Sequence, residues 1–234
     1  MEAIVLAGGL GTRLASRLNG VPKPMAPVAG RPFLEFLLTQ LDRAGCTRAL
    51  LSVGHLHTVI ESHFGNSFLG LRLDYIVEDV PLGTGGAIRK ALPLTSEKSV
   101  LVLNGDTFLK ADYAAMMRFH AAQTCAPHAA AFTIAVTYQP DVARYGGVTV
   151  KDHRIVSFQE KGQHAPGLIN AGTYVIDRNM QWPKTLAEKF SFETDFLVPE
   201  ITRLAPAAFE VNGFFLDIGV PEDLDRAQTQ LAGL

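Results

Sequence analysis

Cysteine is scarce in this sequence, and so are long apolar runs and any excess of one charge. Two cysteines, Cys46 and Cys125, are too few for a disulfide framework or a zinc site, and we expect each to be a small buried apolar side chain. The formal net charge of -2 gives no sign of a nucleic-acid groove or of attraction to a membrane surface. No signal peptide or run of 18 apolar residues occurs, so the expected location is cytoplasmic.

What is present predicts an α/β fold. Short β-branched runs alternate with helical spacing through residues 1–110, which predicts a mostly parallel central sheet flanked by helices. Residues 111–234 contain more strands and fewer helices, which predicts a mixed or antiparallel extension within a single domain spanning 1–234. The expected strands are 3–6, 48–53, 71–77, 99–103, 130–137, 147–150, 155–159, 172–176, 208–211 and 214–216. The expected helices are 33–44, 58–64, 87–92, 111–122, two pieces within 193–204, and 222–231.

A glycine-rich loop follows the first predicted strand. Gly8, Gly9 and Gly11 let the backbone turn sharply and let a ligand approach its amides, which can form an anion site. Arg13 adds a planar fork of donors and Lys23 adds an ammonium charge. The loop has neither the spacing of a P-loop nor that of a dinucleotide fingerprint. We interpret it as a polyphosphate site of another kind, the alternative being a glycine-rich turn with an incidental arginine.

The string Leu6-Ala7-Gly8-Gly9-Leu10-Gly11-Thr12-Arg13-Leu14, followed by Lys23-Pro24-Met25, resembles the signature of the sugar-1-phosphate nucleotidyltransferases. Enzymes of that family join a nucleoside triphosphate to a sugar 1-phosphate and release pyrophosphate. Length and later motifs are most similar to the D-glycero-D-manno-heptose 1-phosphate guanylyltransferases. The resemblance implies a Rossmann-like nucleotidyltransferase fold without a C-terminal β-helix. It also implies that 1–110 is the nucleotide-binding half and 111–234 the sugar-phosphate-binding half.

The resemblance implies that Arg13 holds the β- and γ-phosphates and that Lys23 lies near the α-phosphate, as the two catalytic residues. Pro81-Leu82-Gly83-Thr84-Gly85-Gly86-Ala87 resembles the family's base-recognition loop, with a plain helix N-terminus as the alternative. Similar loops occur with several bases, and guanine is preferred here because of the heptose-like pattern. The implied nucleotide-binding set is Leu6, Ala7, Gly8, Gly9, Gly11, Thr12, Arg13, Lys23, Leu82, Gly83, Thr84, Gly85 and Asp106.

Two aspartates are the implied metal ligands. Asp106 follows the fourth predicted strand, and Asp217 follows the last one. Mg²⁺ usually takes one or two carboxylates and fills its other positions with phosphate oxygens and water, so the pair is suited to a magnesium-dependent reaction. The alternative for each is an aspartate that caps a turn or a helix.

The sugar side is implied by three later strings, Tyr145-Gly146-Gly147-Val148, Glu160-Lys161 and Asn170-Ala171-Gly172. Glu160 is expected to accept hydrogen bonds from sugar hydroxyls and Lys161 to bind the sugar phosphate, the alternative being a solvated charge pair. The family usually has proline after Glu-Lys, whereas this sequence has Gly162. The implied sugar-phosphate set is Gly147, Glu160, Lys161, Asn170, Gly172 and Glu193.

These expectations combine into one function. GTP and D-glycero-α-D-manno-heptose 1-phosphate are the expected substrates, and GDP-heptose for capsule, S-layer or lipopolysaccharide synthesis is the expected product. One alternative keeps the reaction and changes the substrates, to mannose 1-phosphate with GTP or to glucose or N-acetylmuramic acid 1-phosphate with another triphosphate. The other is a catalytically silent nucleotide-sugar sensor on the same fold. The oligomeric state is open, with a homodimer as the candidate.

Overall fold

The computed structural model describes residues 1–9, 11–18, 20–124 and 130–233. Cys125 and Leu10, which figure in the expectations above, lie outside this set. The strands are β1 Glu2–Leu6, β2 Pro27–Val28, β3 Arg31–Pro32, β4 Arg48–Val53, β5 Ser67–Phe68, β6 Leu71–Val77, β7 Ser99–Asn104, β8 Thr107–Leu109, β9 Phe132–Gln139, β10 Gly147–Lys151, β11 Arg154–Phe158, β12 Gly167–Asp177, β13 Ala207–Glu210 and β14 Phe215–Asp217. The α-helices are α1 Phe33–Arg43, α2 His57–Phe64, α3 Gly83–Ala91, α4 Tyr113–Thr124, α5 Val198–Leu204 and α6 Pro221–Gln230.

Ten of these strands form one sheet in the order β10-β11-β13-β9-β12-β7-β1-β4-β6-β5. The block β7-β1-β4-β6 is parallel. The strand β12 joins this block to the second half by pairing antiparallel with both β7 and β9. The expected α/β class, with a parallel block and a mixed extension, is therefore confirmed. Because the parallel strands end at one edge, the loops after β1, β6 and β7 meet there.

The core lies on both faces of the sheet, as the alternation along β1 requires. Val5 packs into the cluster under α1, α2, α4 and α6, whereas Ile4 packs into the cluster under α3 and α5. Pro32 precedes α1 and Gly45, with φ +81°, follows it, so both expected boundary signals are found. Cys46 is buried, as expected, and burial raises the pKa of its thiol to about 12.

Most expected boundaries differ from the structure by two residues or fewer, but the starts of α3 and β12 differ by four or more, and glycines lie at both. The helix α3 begins at Gly83 rather than at residue 87, because Gly85 and Gly86 lie inside it where a Cβ atom would collide with the segment 188–190. The strand β12 begins at Gly167 rather than at residue 172. Gly172, with φ +65°, produces an irregularity in the pairing with β9 but does not begin the strand.

Several short elements were not expected. They include the paired strands β2 and β3, the edge strand β5, and β8, which pairs with β14 outside the main sheet. A π-helix over Phe192–Leu197 and the helix α5 form the two helical pieces expected within 193–204, with Pro199 in the first turn of α5. Over the described ranges, no helix has the length and apolar character needed to cross a membrane.

Candidate active site

A cleft of about 240 Å³ opens at the edge where β1, β6 and β7 end. Its position follows from the parallel order of these strands. Acidic side chains lie in its lining, Asp106 after β7 and Glu78 after β6. The full lining is Leu6, Gly8, Gly9, Glu78, Pro81, Gly83, Thr84, Ala87, Asn104 and Asp106. A ligand in this cleft would therefore lie between two glycine-containing loops and would contact both carboxylates.

The glycine loop is packed closely at its base. A Cβ atom on Gly8 would lie 3.0 Å from Glu78 Oε1, and the Ala7 amide donates to the Ser52 carbonyl. Gly11 adopts a left-handed conformation, φ +60°, and precedes a short 3₁₀ helix over Thr12–Arg17. Thr12 and Arg13 are exposed on that helix, and Arg13 has no ion-pair partner within the part of the chain that the structure describes. Its guanidinium is therefore available to an anion.

Lys23 and Asp106 form the centre of the site. Lys23 is 8% exposed on a 3₁₀ turn that it shares with Pro24, and its Nζ lies 2.5 Å from Asp106 Oδ2. The Thr107 hydroxyl donates to the other oxygen, Oδ1 of Asp106. Lys23 follows the glycine loop and Asp106 follows β7. Although these two segments are far apart in the chain, the fold brings them together in one ammonium–carboxylate pair.

Asp217 is brought to the same place by the small sheet of β8 and β14. Asp217 is the register partner of Thr107, and the Ile218 amide donates to the Asp106 carbonyl. Burial raises the pKa of the Asp217 carboxyl and the Asp106 charge raises it further, while Lys23 and Arg144 act in the opposite direction. The ionised forms of the two carboxylates therefore disfavour each other, which is the electrostatic situation that a bound cation relieves.

The two aspartates fit a magnesium ion that is bound together with a phosphate substrate. Among the described residues, no group of three or more His, Cys, Asp or Glu side chains is placed to hold a metal. Mg²⁺ does not need such a cage, because it is commonly held by one or two carboxylates plus phosphate oxygens and water. Asp106 and Asp217 could supply the protein's share of that set.

Glu78 is a polar residue of the cleft that the sequence analysis did not identify. Its Oε1 accepts a hydrogen bond from the Ser52 hydroxyl at 2.8 Å, and its Oε2 accepts one from the Leu82 amide at 2.9 Å. These contacts fix a hydrogen-bond acceptor in the cleft lining that also contains Asp106. The available signal was its place after β6, directly before the segment that resembles a base-recognition loop.

The segment 82–87 contributes to the cleft less uniformly than expected. Gly83 and Thr84 line it, whereas Leu82 and Gly85 are not among the lining residues in the described part of the chain. Gly85 lies against Phe190, whose ring occupies the space that a Cβ atom would need. The Thr84 hydroxyl accepts a hydrogen bond from the Phe192 amide. Part of the glycine content here therefore serves packing against 188–192.

Three residues of the predicted sugar-phosphate set, Asn170, Gly172 and Glu193, form a connected cluster. The Asn170 amide group donates to the Tyr174 hydroxyl and to Glu193 Oε1, and its own oxygen accepts from the Gly172 amide. Burial raises the pKa of Tyr174, and the charge of Glu193 raises it further. A Cβ atom on Gly172 would collide with Asn104, so this cluster adjoins the cleft lining at the end of β7.

Of the other residues in the predicted sugar-phosphate set, Glu160 and Lys161 lie on a turn at the protein surface and Gly147 begins β10. Gly147 is buried against Gln159, whereas Glu160 and Lys161 are exposed and make no ion pair within the described ranges. Gly162 has φ +95°, and its amide donates to the Ala143 carbonyl at 2.7 Å. Proline has neither this φ nor an amide hydrogen, so the departure from the family pattern at this position corresponds to a different turn.

Comparison with known proteins agrees with this geometry. The family model described as nucleotidyl transferase matches residues 2–233. The chain is 41% identical over 231 residues to the D-glycero-alpha-D-manno-heptose 1-phosphate guanylyltransferase of Aneurinibacillus thermoaerophilus, covering 99% of this chain and 98% of that protein. It is 35% identical over 239 residues to the mannose-1-phosphate guanylyltransferase of Mycobacterium tuberculosis, covering 99% of this chain and 64% of that protein. The crystal structure of HddC from Yersinia pseudotuberculosis complexed with GMP-PN superimposes with a TM-score of 0.82 at 36% identity, covering 98% of this chain and 99% of that one.

Proposed function

The chain belongs to the nucleotidyl transferase family, and from that premise we propose that it joins GTP to D-glycero-α-D-manno-heptose 1-phosphate. The products are GDP-heptose and pyrophosphate. The observation that carries the proposal is a cleft whose lining contains both Glu78 and Asp106, with Lys23 paired to Asp106 and Asp217 beside it. The full-length similarity to a heptose guanylyltransferase supports the choice of sugar.

The reaction needs positioning and charge compensation more than covalent help. A phosphate oxygen of the sugar attacks the α-phosphorus of GTP, one P–O bond forms, and the bond to the pyrophosphate oxygen breaks. Lys23, which is held against Asp106, binds the α-phosphate oxygens. The Arg13 guanidinium, which has no ion-pair partner among the described residues, binds the β- and γ-phosphates. These cations are most effective in the transition state, when negative charge moves toward the leaving group.

Asp106 and Asp217 hold Mg²⁺ in this proposal. The ion supplies charge neutralisation on the phosphates when it is bound. The metal assignment is supported by the elevated pKa of Asp217 beside the Asp106 charge. It is also supported by the backbone bond from Ile218 to Asp106, which keeps the two strand ends together.

Glu78 supports guanine as the base. Guanine presents two donors on one edge, N1–H and the N2 amino group, and a carboxylate can accept from both. Ser52 and Leu82 hold the Glu78 carboxylate from one side, and each oxygen keeps a further lone pair for the base. Uracil and thymine offer only one such donor on the corresponding edge, and adenine and cytosine lack the ring N–H.

For the sugar, Asn170 and Glu193 are the preorganised polar contacts, and Gly147 and Gly172 shape the adjoining backbone. Glu160 accepts from sugar hydroxyls and Lys161 binds the sugar phosphate. The product would feed capsule, S-layer or lipopolysaccharide synthesis. The cytoplasm, where nucleoside triphosphates are made, is the proposed location, and a homodimer is the proposed assembly.

The test is pyrophosphate release measured over a grid of substrates. Purified protein with Mg²⁺ is given GTP, ITP, ATP, UTP or dTTP, each with heptose, mannose, glucose or N-acetylmuramic acid 1-phosphate. GTP with the heptose 1-phosphate should give the highest kcat/KM, and EDTA should stop the reaction. A higher kcat/KM with mannose 1-phosphate would mean that mannose is the sugar of the substrate, with the reaction type unchanged. If no pair of substrates released pyrophosphate, a nucleotide-sugar sensor would be favoured.

A further inference from the structure

Arg144 contacts Asp217, one of the two proposed metal ligands. It lies in the loop between β9 and β10, and its Nη2 is 3.4 Å from Asp217 Oδ1. Its Nη1 forms an ion pair with Asp223 Oδ2 in the first turn of α6. One guanidinium therefore joins the end of β14 to the start of the last helix. Nothing in the sequence pattern singled out Arg144 or Asp223.

The contacts of the Asp217 carboxylate are made through one of its two oxygens. Oδ1 receives both the Arg144 guanidinium and, at 2.5 Å, the Gly219 amide. The hydrogen bond and the ion pair that the described residues give Asp217 both use Oδ1, and neither uses Oδ2. The Gly219 hydrogen bond and the Arg144 ion pair both act on this one oxygen. Together they restrain rotation of the carboxylate about its terminal torsion, so its other oxygen keeps a preferred direction.

The guanidinium is itself held in place. Asp223 is 5% exposed, and Arg226 Nη1 binds its other oxygen at 2.9 Å. The Arg144 guanidinium also lies over the Tyr145 ring, whose edge packs against Phe215 on β14. Removal of Arg144 would take away an ion-pair partner of the buried Asp223 carboxylate as well as the contact with Asp217. Lys could not reproduce a planar fork between two carboxylates.

We propose that Arg144 is a positioning residue that fixes Asp217 through Oδ1, so that Oδ2 is presented to the metal beside Asp106. This inference rests on the metal assignment in the proposed function. Partners that orient a metal ligand typically change metal affinity by about 10- to 100-fold when they are removed. A purely electrostatic role predicts the opposite sign, because loss of a positive charge near the site would strengthen cation binding.

The test is Mn²⁺ binding measured by electron paramagnetic resonance on enzyme with GTP and without sugar 1-phosphate, so that no turnover is needed. We expect Arg144→Gln and Arg144→Lys each to weaken Mn²⁺ binding by roughly tenfold or more. Arg226→Gln, which removes the other ion pair of Asp223 and does not touch Asp217, is the matched control and should stay within about twofold of wild type. Asp217→Asn calibrates the assay by removing the ligand charge itself.

Unfolding is followed for each variant, since Arg144→Gln leaves the buried Asp223 carboxylate with one partner fewer. The double variant Arg144→Gln/Asp223→Asn removes that charge and should show the same loss of Mn²⁺ affinity. Unchanged or tighter Mn²⁺ binding in Arg144→Gln, with weaker binding in Asp217→Asn, would overturn the positioning role alone. A raised KM for sugar 1-phosphate with unchanged Mn²⁺ affinity would do the same. No effect of Asp217→Asn on Mn²⁺ would overturn both this inference and the metal assignment.

Discussion

The proposed nucleotide side and the proposed sugar side of the site differ in how firmly the rest of the protein holds their charged groups. Lys23 is nearly buried and paired with Asp106, and Glu78 is held by a hydroxyl and a backbone amide. Lys161 and Glu160, by contrast, are exposed on a turn and make no ion pair among the described residues. The charged groups on the proposed nucleotide side are therefore held in place by the fold, whereas Glu160 and Lys161 have no such support among the described residues.

The origin of this difference is topological. The groups on the nucleotide side follow adjacent parallel strands, β1, β6 and β7, whose ends are fixed by the sheet. Glu160 and Lys161 lie on a connection between β11 and β12, where the backbone turns through Gly162. Asn170 and Glu193 show that the sugar side also has a fixed part, since they are hydrogen-bonded to each other.

The largest effects should come from the proposed nucleotide side. Lys23→Ala, Asp106→Asn and Asp217→Asn should each lower kcat by roughly two orders of magnitude or more, the scale for losing one preorganised charge interaction. Pyrophosphate release at saturating substrates measures this.

Asp217→Asn should leave the unfolding temperature unchanged or raised, because the pKa of Asp217 is raised in the fold and the ionised carboxylate is disfavoured there. If Asp106→Asn and Asp217→Asn both kept wild-type turnover at limiting Mg²⁺, the assignment of these aspartates as metal ligands would be wrong.

A smaller effect is expected from the exposed turn. Lys161→Ala should lower kcat/KM for the sugar 1-phosphate by ~1.5–3 kcal/mol in transition-state energy, the range for a hydrogen bond to a charged group. Steady-state kinetics with the sugar 1-phosphate varied at saturating GTP gives this value. Lys161→Met keeps the length of the side chain without its charge, and it should match Lys161→Ala. If the Met variant behaved as wild type, packing rather than charge would account for the residue.

The smallest effect concerns the turn itself. Gly162 has φ +95°, so Gly162→Ala should cost about 1 kcal/mol of folding free energy, which lowers Tm by roughly 2–4 °C in a chain of this size. Differential scanning calorimetry measures the shift. Gly233→Ala is the control, because a Cβ atom there has no neighbour within 4 Å and its φ is not positive. An equal Tm for the two variants would show that the turn tolerates a side chain and is less defined than its backbone indicates.

Local sequence signals predicted much of the fold. The run 3–6, the glycines after it, and Pro32 and Gly45 around α1 each correspond to the structure because each signal acts over a few residues. The full extent of β12 and the start of α3 could not be predicted in this way. They depend on what lies against Gly172 and Gly85, and these neighbours come from distant parts of the chain.

Some residues of the candidate site could likewise be predicted from the sequence, and others could not. The motif around Gly8 and Arg13 and the aspartates at strand ends were recognisable, since strand ends and glycine loops leave a pattern in the sequence. Arg144 left none, and Glu78 left only its place between a strand and the segment that resembles a base-recognition loop. Their importance lies in contacts with Asp217 and Ser52 that only the folded chain forms. The roles of the predicted site residues remain predictions until the variants are measured.

The central claim, that the two sides of the cleft bind different substrates, is tested most directly by one calorimetric measurement. GTP is titrated into wild type, Glu78→Gln and Lys161→Ala, with Mg²⁺ present and sugar 1-phosphate absent. GTP affinity should fall by roughly tenfold or more in Glu78→Gln, because a charged hydrogen-bond acceptor for the base is lost. It should stay within about twofold of wild type in Lys161→Ala. Loss of GTP binding in Lys161→Ala with wild-type affinity in Glu78→Gln would contradict the account and show that the two sides are assigned the wrong way round.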